Sequence, residues 1–467
     1  MPSFPQSLID RLQKTGQSHL TEHATSLTDV ETATLAAQLE SLPLERLPAL
    51  MQGEEKGEEI DFDRLEPLPF ETLGDGRNAH DVEARARGES AWRAGEIGVV
   101  MVAGGQGTRL GYDGPKGTFP IGPLSGATLY EWLAWKVGAV GKRYGRRVPF
   151  WIMTSKATHE PTGDYFRQRR YFGLSEDSVV FFRQGEMPTI DDTSGQILLA
   201  GRSEVAVNPD GHGGILDAMQ GAGLFDRAAE QGIKQLFYIQ VDNALAPVAD
   251  ARIVGYHLLA GAEATTLAVR KRDPLEKVGN LVQQGGKTRI VEYSDLPESA
   301  ARQMNGDGSL AIWAGNTAMH VFSVELLRRA ALEGGGLPFH RAHKKTPHLD
   351  LKTRQPVDPQ TPNAIKFERF IFDALPMATK TLTIEVDPAQ VFAPLKNPSG
   401  TGKDDPETTK AAISALQRGW LRAAGCDVPD DADVEIQPRV AVDAAATREL
   451  VDRLPTRPQG KEILLAD

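Results

Sequence analysis

The sequence predicts an α/β protein: a core with a mostly parallel sheet, a helical arm before it and a small α+β domain after it. Three observations carry that expectation. Residues 99–102, 148–154, 179–182 and 237–241 are short, near-continuous apolar runs rich in Val, Ile and Phe. Such runs read as strands buried on both faces, as in a parallel sheet. Helical stretches separate them, one over 128–140 and another running to Arg170, which is the alternation of βα units. Finally, 467 residues exceed what one ordinary core holds. The expected partition is an arm over 1–94, a core over 95–399 and a C-terminal domain over 400–467.

Taken in order, the arm opens without the basic and apolar regions of a signal peptide. Thr28-x-x-Glu31 is a capping-box pattern, and Leu35, Leu39 and Leu42 then share a helical face until Pro43. Residues 53–64 are acidic, poor in apolar groups, and read as an exposed linker. Hydrophobic content of 40% and charged content of 25% are those of a globular chain. A net charge of −11 argues against nucleic acid or an anionic membrane as partner. The one cysteine, Cys426, excludes an internal disulfide and fits a reducing compartment. With no apolar run of membrane-spanning length, the expectation is a cytoplasmic protein.

The core begins with a strand over 99–102 that breaks into Ala103-Gly104-Gly105-Gln106-Gly107-Thr108-Arg109-Leu110-Gly111, then Pro115-Lys116. Glycines there permit φ > 0 and let backbone N–H groups close on a ligand. A curl of such groups is an anion nest, and Arg109 and Lys116 add full charges. The spacing fits neither G-x-G-x-x-G, since the next glycine after Gly107 comes at 111, nor a P-loop, since Gly117 follows Lys116. A triphosphate is the ligand this loop suits.

Other loops follow strands, where ligands of such sheets bind. Gln184, after the strand at 179–182, can offer a donor and an acceptor to a base edge. Asn208-Pro209-Asp210-Gly211-His212-Gly213-Gly214 exposes backbone. Asp242 ends the strand at 237–241, placed to hold Mg²⁺ together with phosphate oxygens. His340, His343 and His348 fit no zinc spacing and read as an exposed loop. The C-terminal domain begins with a helix over 406–424, with strand-like pieces at 434–436 and 439–442. No internal repeat or low-complexity tract occurs.

The string Ala-Gly-Gly-Gln-Gly-Thr-Arg-Leu-Gly-x3-Pro-Lys resembles the signature of the eukaryotic-type UDP-sugar pyrophosphorylases, most closely the UDP-N-acetylglucosamine and UDP-N-acetylgalactosamine branch. Met101 stands where that family usually has leucine. The resemblance extends over about 95–425 and implies a Rossmann-like, GT-A-like nucleotidyltransferase core. It implies that the Gly104, Gly105 and Gly107 backbone holds the nucleotide, and that Gln184 in a Gln-Gly-x-x-Pro loop reads uracil. Gly211 and His212 are implied against uridine and the sugar phosphate, and Asp242 in Val-Asp-Asn as ligand of a Mg²⁺ cofactor. Glu292 in Glu-Tyr-Ser and Asn316 in Gly-Asn are implied to line the sugar site. Lys396 in Phe-x-Pro-Leu-Lys-Asn, and Lys366 upstream, are implied to approach the phosphates. The N-acetylhexosamine enzymes usually carry Asn where this chain has His212, and the UDP-glucose enzymes His. The C-terminal domain is shorter than in the eukaryotic relatives.

The implied reaction joins UTP and a sugar 1-phosphate into a UDP-sugar and pyrophosphate, with Arg109, Lys116 and Lys396 as its catalytic cations. Positioning and charge neutralisation then do the catalysis. N-acetylglucosamine 1-phosphate is the expected sugar; glucose 1-phosphate is the alternative that His212 supports. A glycosyltransferase would want D-x-D, and a non-catalytic UDP-sugar sensor could lose the lysines. The sequence asks for no partner beyond these substrates, and a monomer is compatible with it.

Overall fold

The computed structural model describes residues 3–53, 60–74, 76–332 and 336–466. The acidic 54–59 part of the expected linker lies outside them. The chain forms two compact units that interleave along the sequence: 1–60 with 184–217 and 333–373, and 61–183 with 218–332 and 374–467. The consecutive partition at 94/95 and 399/400 does not follow these units.

The second unit holds a ten-stranded sheet. Its strands are β1 (Phe70–Thr72), β2 (Ile97–Val102), β3 (Phe150–Thr154), β4 (Val179–Arg183), β5 (Gln235–Gln240), β6 (Ala264–Arg270), β7 (Asn280–Gln284), β8 (Lys287–Val291), β9 (Ala314–Ser323) and β10 (Thr381–Glu385). The order is β1-β10-β6-β9-β5-β2-β3-β4, with β7 paired to β8 and β9. Along that order the pairings are parallel except the two that β9 makes. Residues 97–101 and all of β3 are buried, as the continuous apolar runs require. From β2 the chain builds outward through β3 and β4, then returns to place β5 on the other side of β2. That reversal puts the topological switch point, where doubly wound sheets bind ligands, at the carboxyl ends of β2 and β5.

Helices α1 (Ala79–Ala94), α2 (Leu129–Tyr144) and α3 (Ala251–Ala260) belong to this unit. Thr128 and Glu131 close a capping box on α2, and Leu133, Val137 and Val140 enter the same core as β2 and β3. The helix after β3 ends at Gln168; Arg170, Tyr171 and Phe172 then turn with φ of 50°, 51° and 57°. Helix α4 (Pro406–Ala423) and two parallel strands, Asp433–Ile436 and Glu462–Leu465, close the chain around a small apolar cluster of their own. Residues 438–440 form a turn there, and 439–442 hold no strand. Glu435 is fully buried and accepts from the Leu124 and Ser125 N–H groups, so this segment lies within the second unit. No helix among the described residues is long and apolar enough to cross a membrane.

In the first unit the helix Asp29–Ser41 carries the expected capping box of Thr28 and Glu31. Leu35 and Leu39 pack with Ile190, Ile197, Ile365 and Phe367. The arm is therefore one layer of a core completed by segments far along the chain. Strand Phe339–Lys344 pairs with Ala364–Arg369, so His340 and His343 lie on a strand rather than a loop, and His348 begins a short bridge. His340 Nε2 meets Asp373 Oδ2 at 2.8 Å.

Candidate active site

The loop leaving β2 folds back on itself. Gly107 N–H donates to Gly114 O, and Lys116 N–H to Gly105 O. Positive φ falls at Gly111 (67°) and Gly114 (130°), and not at Gly104, Gly105 or Gly107, which corrects the conformational reading of those three. Gly107 is required by close approach: a Cβ there would lie 2.7 Å from the Tyr112 ring. At Gly105 a Cβ would meet nothing; the protein's own packing does not demand glycine there, and its backbone stays open to a ligand. Arg109 is exposed and makes no ion pair among the described residues.

β2 and β5 are neighbours in register, Val102 beside Gln240, so the turn after β5 stands next to that loop. Asp242 lies in this turn, its carboxylate 3.8 Å from Lys116 Nζ. Lys116 Nζ also donates to Leu395 O at 3.2 Å, and Leu395 N–H donates to Asp242 O at 2.9 Å. Lys396 follows directly and is exposed. Burial lowers the pKa of Lys116; the charges of Lys396 and Arg109 lower it further, and Asp242 opposes them. Of the three expected cations, Lys116 faces the Asp242 carboxylate, and Arg109 and Lys396 lie close enough for Lys116 to feel their charge. Asn243, which the sequence reading left unassigned, ties the arrangement together. Its Oδ1 accepts from Ala393 N–H and Leu245 N–H, and its Nδ2 donates to Val391 O.

Glu292 follows β8, and Asn316 lies on β9 just before a bulge against β6. Ala318 there has φ 56°, and its N–H donates to Asn316 Oδ1; a bulge re-aims a side chain in this way. The two residues meet around Gly279, where a Cβ would lie 3.3 Å from Glu292 Oε1 and 3.6 Å from Asn316 Cβ. Gly279 was not singled out, because a lone glycine before a strand gives no signal.

The remaining expected residues belong to the first unit. Gln184 is buried, and its amide makes no hydrogen bond among the described residues. Asp210 N–H donates to Gly185 O, which sets Gln184 beside the 210–214 loop. Gly211 has φ 84°, and a Cβ there would strike Arg369 O at 2.4 Å. His212 Nδ1 accepts from Ile371 N–H at 3.1 Å, which leaves the hydrogen on Nε2. Burial pushes its pKa down to about 4, so the ring is neutral at physiological pH. The loop is pinned by Arg369, paired with Asp210 at 2.9 Å and Asp217 at 2.7 Å. Lys366 shares a half-buried strand face with Glu368, opposite buried Phe367. The sequence reading missed Arg369, since an arginine in an apolar strand carries no motif of its own.

Among the described residues no three His, Cys, Asp or Glu side chains gather as a metal site. A single carboxylate beside a glycine loop is nevertheless a donor set that suits Mg²⁺ once phosphate oxygens join it, since Mg²⁺ takes one or two carboxylates and phosphate oxygens. Asp242 fits that description.

Comparison with known proteins identifies the fold and the family. A family model described as UTP–glucose-1-phosphate uridylyltransferase matches residues 45–401. The UDP-N-acetylglucosamine pyrophosphorylase of Saccharomyces cerevisiae is 34% identical over 444 residues, 91% of this chain and 93% of that protein. The human UDP-N-acetylhexosamine pyrophosphorylase-like protein 1 is 34% identical over 437 residues, 90% and 86% of the two chains. The crystal structure of the Trypanosoma brucei UDP-N-acetylglucosamine pyrophosphorylase superposes with a TM-score of 0.84 over 99% of this chain and 98% of that one, at 24% identity.

Proposed function

The chain belongs to the UTP–glucose-1-phosphate uridylyltransferase family, and from that premise we propose that it converts UTP and N-acetylglucosamine 1-phosphate into UDP-N-acetylglucosamine and pyrophosphate. The observation that carries the reaction class is the meeting, at the carboxyl ends of β2 and β5, of an open glycine loop, Lys116, Asp242 and the segment bearing Lys396. The choice of sugar is supported by the names of the relatives similar over most of the chain.

A sugar-phosphate oxygen attacks the α-phosphorus of UTP as the bond to pyrophosphate breaks on the opposite side. No side chain forms a covalent bond; orientation and charge neutralisation lower the barrier. The Gly104, Gly105 and Gly107 backbone holds the nucleotide phosphates. Arg109 and Lys116 take the charge of the departing pyrophosphate, and Lys396 that of the equatorial oxygens and the incoming phosphate. Asp242 would hold Mg²⁺ with phosphate oxygens, and that ion, when bound, supplies further neutralisation. Gln184 and Gly211 receive the uridine; His212, Glu292, Asn316 and Lys366 receive the sugar phosphate. The proposal places the enzyme in the cytoplasm without nucleic-acid or membrane partners, supported by its single cysteine and acidic balance.

Glucose 1-phosphate is the second reading, favoured by His212. The geometry weakens its force: with Nδ1 engaged by Ile371, the ring presents one N–H donor, as an asparagine amide also can. Pyrophosphate release from UTP and Mg²⁺, with the two sugar phosphates run in parallel, decides. Preference for the N-acetylated sugar is expected; preference for glucose 1-phosphate overturns the sugar assignment, and silence with both overturns the enzyme.

A further inference from the structure

The geometry points to Lys136 as a positioning residue for this reaction: from the middle of α2 it holds the turn that follows Asp242, and through it the carboxylate and the segment leading to Lys396. Its Nζ donates to Ala244 O at 2.7 Å and to Ala246 O at 2.9 Å. Both alanines are fully buried. No carboxylate among the described residues lies within ion-pair distance of the ammonium, and burial alone draws its pKa down to about 7. A partly buried ammonium answered only by carbonyls is an unfavourable placement. An apolar side chain, like the neighbouring Leu133, Val137 and Val140, would pack α2 without it.

What the ammonium provides is direction to two carbonyls that no strand or helix satisfies. Between them and Asp242 stands Asn243, whose side chain fixes Val391, Ala393 and Leu245. Asp242 O in turn accepts from Leu395 N–H, and Lys116 is bound to Leu395 O. Lys136 therefore stands at the rear of one continuous set of contacts that ends on Asp242, Lys116 and the backbone of Leu395, next to Lys396. Without it the 241–246 turn keeps the Asn243 and Leu395 contacts but has two buried acceptors to satisfy, and its adjustment to satisfy them shifts the aim of the Asp242 carboxylate. The sequence reading passed over Lys136 because a lysine on an amphipathic helix is ordinarily a solvated one. This inference rests on the reading of Asp242 as the metal ligand.

The test compares Lys136→Met and Lys136→Arg with the parent enzyme. For Lys136→Met, the Mg²⁺ concentration giving half-maximal rate is expected to rise about tenfold, as when a group that orients a metal ligand is lost, with kcat lowered at saturating Mg²⁺. The electron paramagnetic resonance spectrum of Mn²⁺ added to the enzyme–UTP complex changes, whereas the dissociation constant of UTP measured calorimetrically in excess EDTA does not. Lys136→Arg, which can still donate to both carbonyls, recovers most of the loss. Parent-like Mg²⁺ dependence and Mn²⁺ spectrum in folded Lys136→Met, with or without a lower melting temperature, overturn the inference. Should Lys136→Met fail to fold, Lys136→Gln, retaining an amide donor, is read by the same measurements. Asp242→Asn separates the two levels. If its Mg²⁺ dependence is unchanged, the reading of Asp242 fails. If Asp242→Asn is impaired while Lys136→Met is not, only the inference fails.

Discussion

The two charged clusters of this molecule are built in opposite ways. At the phosphate end, Lys116 and Asp242 stand 3.8 Å apart, their side chains 17% and 14% exposed, with Arg109 and Lys396 open to solvent. In the first unit, Arg369 grips Asp210 at 2.9 Å, both side chains 4% exposed, and Asp217 at 2.7 Å. The first set of charges feel one another without satisfying one another, so they keep their capacity for a polyanion. The second set close on one another at 2.7–2.9 Å and hold a glycine loop against the backbone of residues 369 and 370. Proximity to a site therefore does not make a charge catalytic; charge that no close partner compensates does.

The contrast predicts that substitutions at the two clusters fail in different currents of measurement. Lys116→Ala should lower kcat by roughly a hundredfold to a thousandfold, the loss expected for one transition-state donor. Its melting temperature should barely move, because a long, partly exposed ion pair contributes little to stability. Arg369→Leu should do the reverse. Removing one partner of a buried pair destabilises by about 3–5 kcal/mol, visible as an early denaturation midpoint, while kcat per folded molecule stays within about tenfold, well short of the loss of a transition-state donor. A stable but inactive Arg369→Leu enzyme would erase the distinction, and so would a Lys116→Ala enzyme that melts early but turns over normally.

The same contrast explains what could be read from the sequence. The ends of β2 and β5 were legible because a continuous apolar run followed by glycines or an acid has few structural meanings, and the order of the strands then brings Gly105 and Asp242 together. Arg369 and Lys136 were not legible. Each sits in an element whose periodicity is set by burial, and only tertiary contact turns an arginine or lysine there into a clamp. The unit boundaries were hidden for a related reason. Leu35 and Leu39 reveal a helix face, but nothing local says that the face meets Ile365 and Phe367, more than three hundred residues along. The three histidines misled in the opposite direction: His340 and His343 looked like loop residues because their strand, Phe339–Lys344, is polar on its exposed positions.

The smallest expected effect uses one histidine from each unit. His212 and His257 both have pKa values pushed down by burial to about 4. His257 has both ring nitrogens occupied, by Thr265 Oγ1 at 2.8 Å and Gln235 Oε1 at 3.0 Å, whereas His212 has only its Nδ1 engaged, by Ile371 N–H, among the described residues. In each case the folded state binds its proton less readily than the unfolded chain. The stabilisation of the neutral ring is therefore complete above about pH 6.5, declines as the pH falls, and is gone below about 4. His212→Asn removes one of these titrations and leaves the other. Between pH 7 and 4.5 the parent should lose about 2 kcal/mol more stability than the variant, so a gap in melting temperature seen at neutral pH narrows on acidification. Equal acid sensitivity of parent and variant would mean that His212 is not held neutral by its surroundings. Activity provides the independent check: because the ring is already neutral, kcat/KM for the parent should show no acid limb from His212 between pH 8 and 5.5. A limb near pH 6.5 that disappears in His212→Asn would instead place His212 among the charged, substrate-facing groups, and the contrast between the two clusters would have to be redrawn with His212 on the other side.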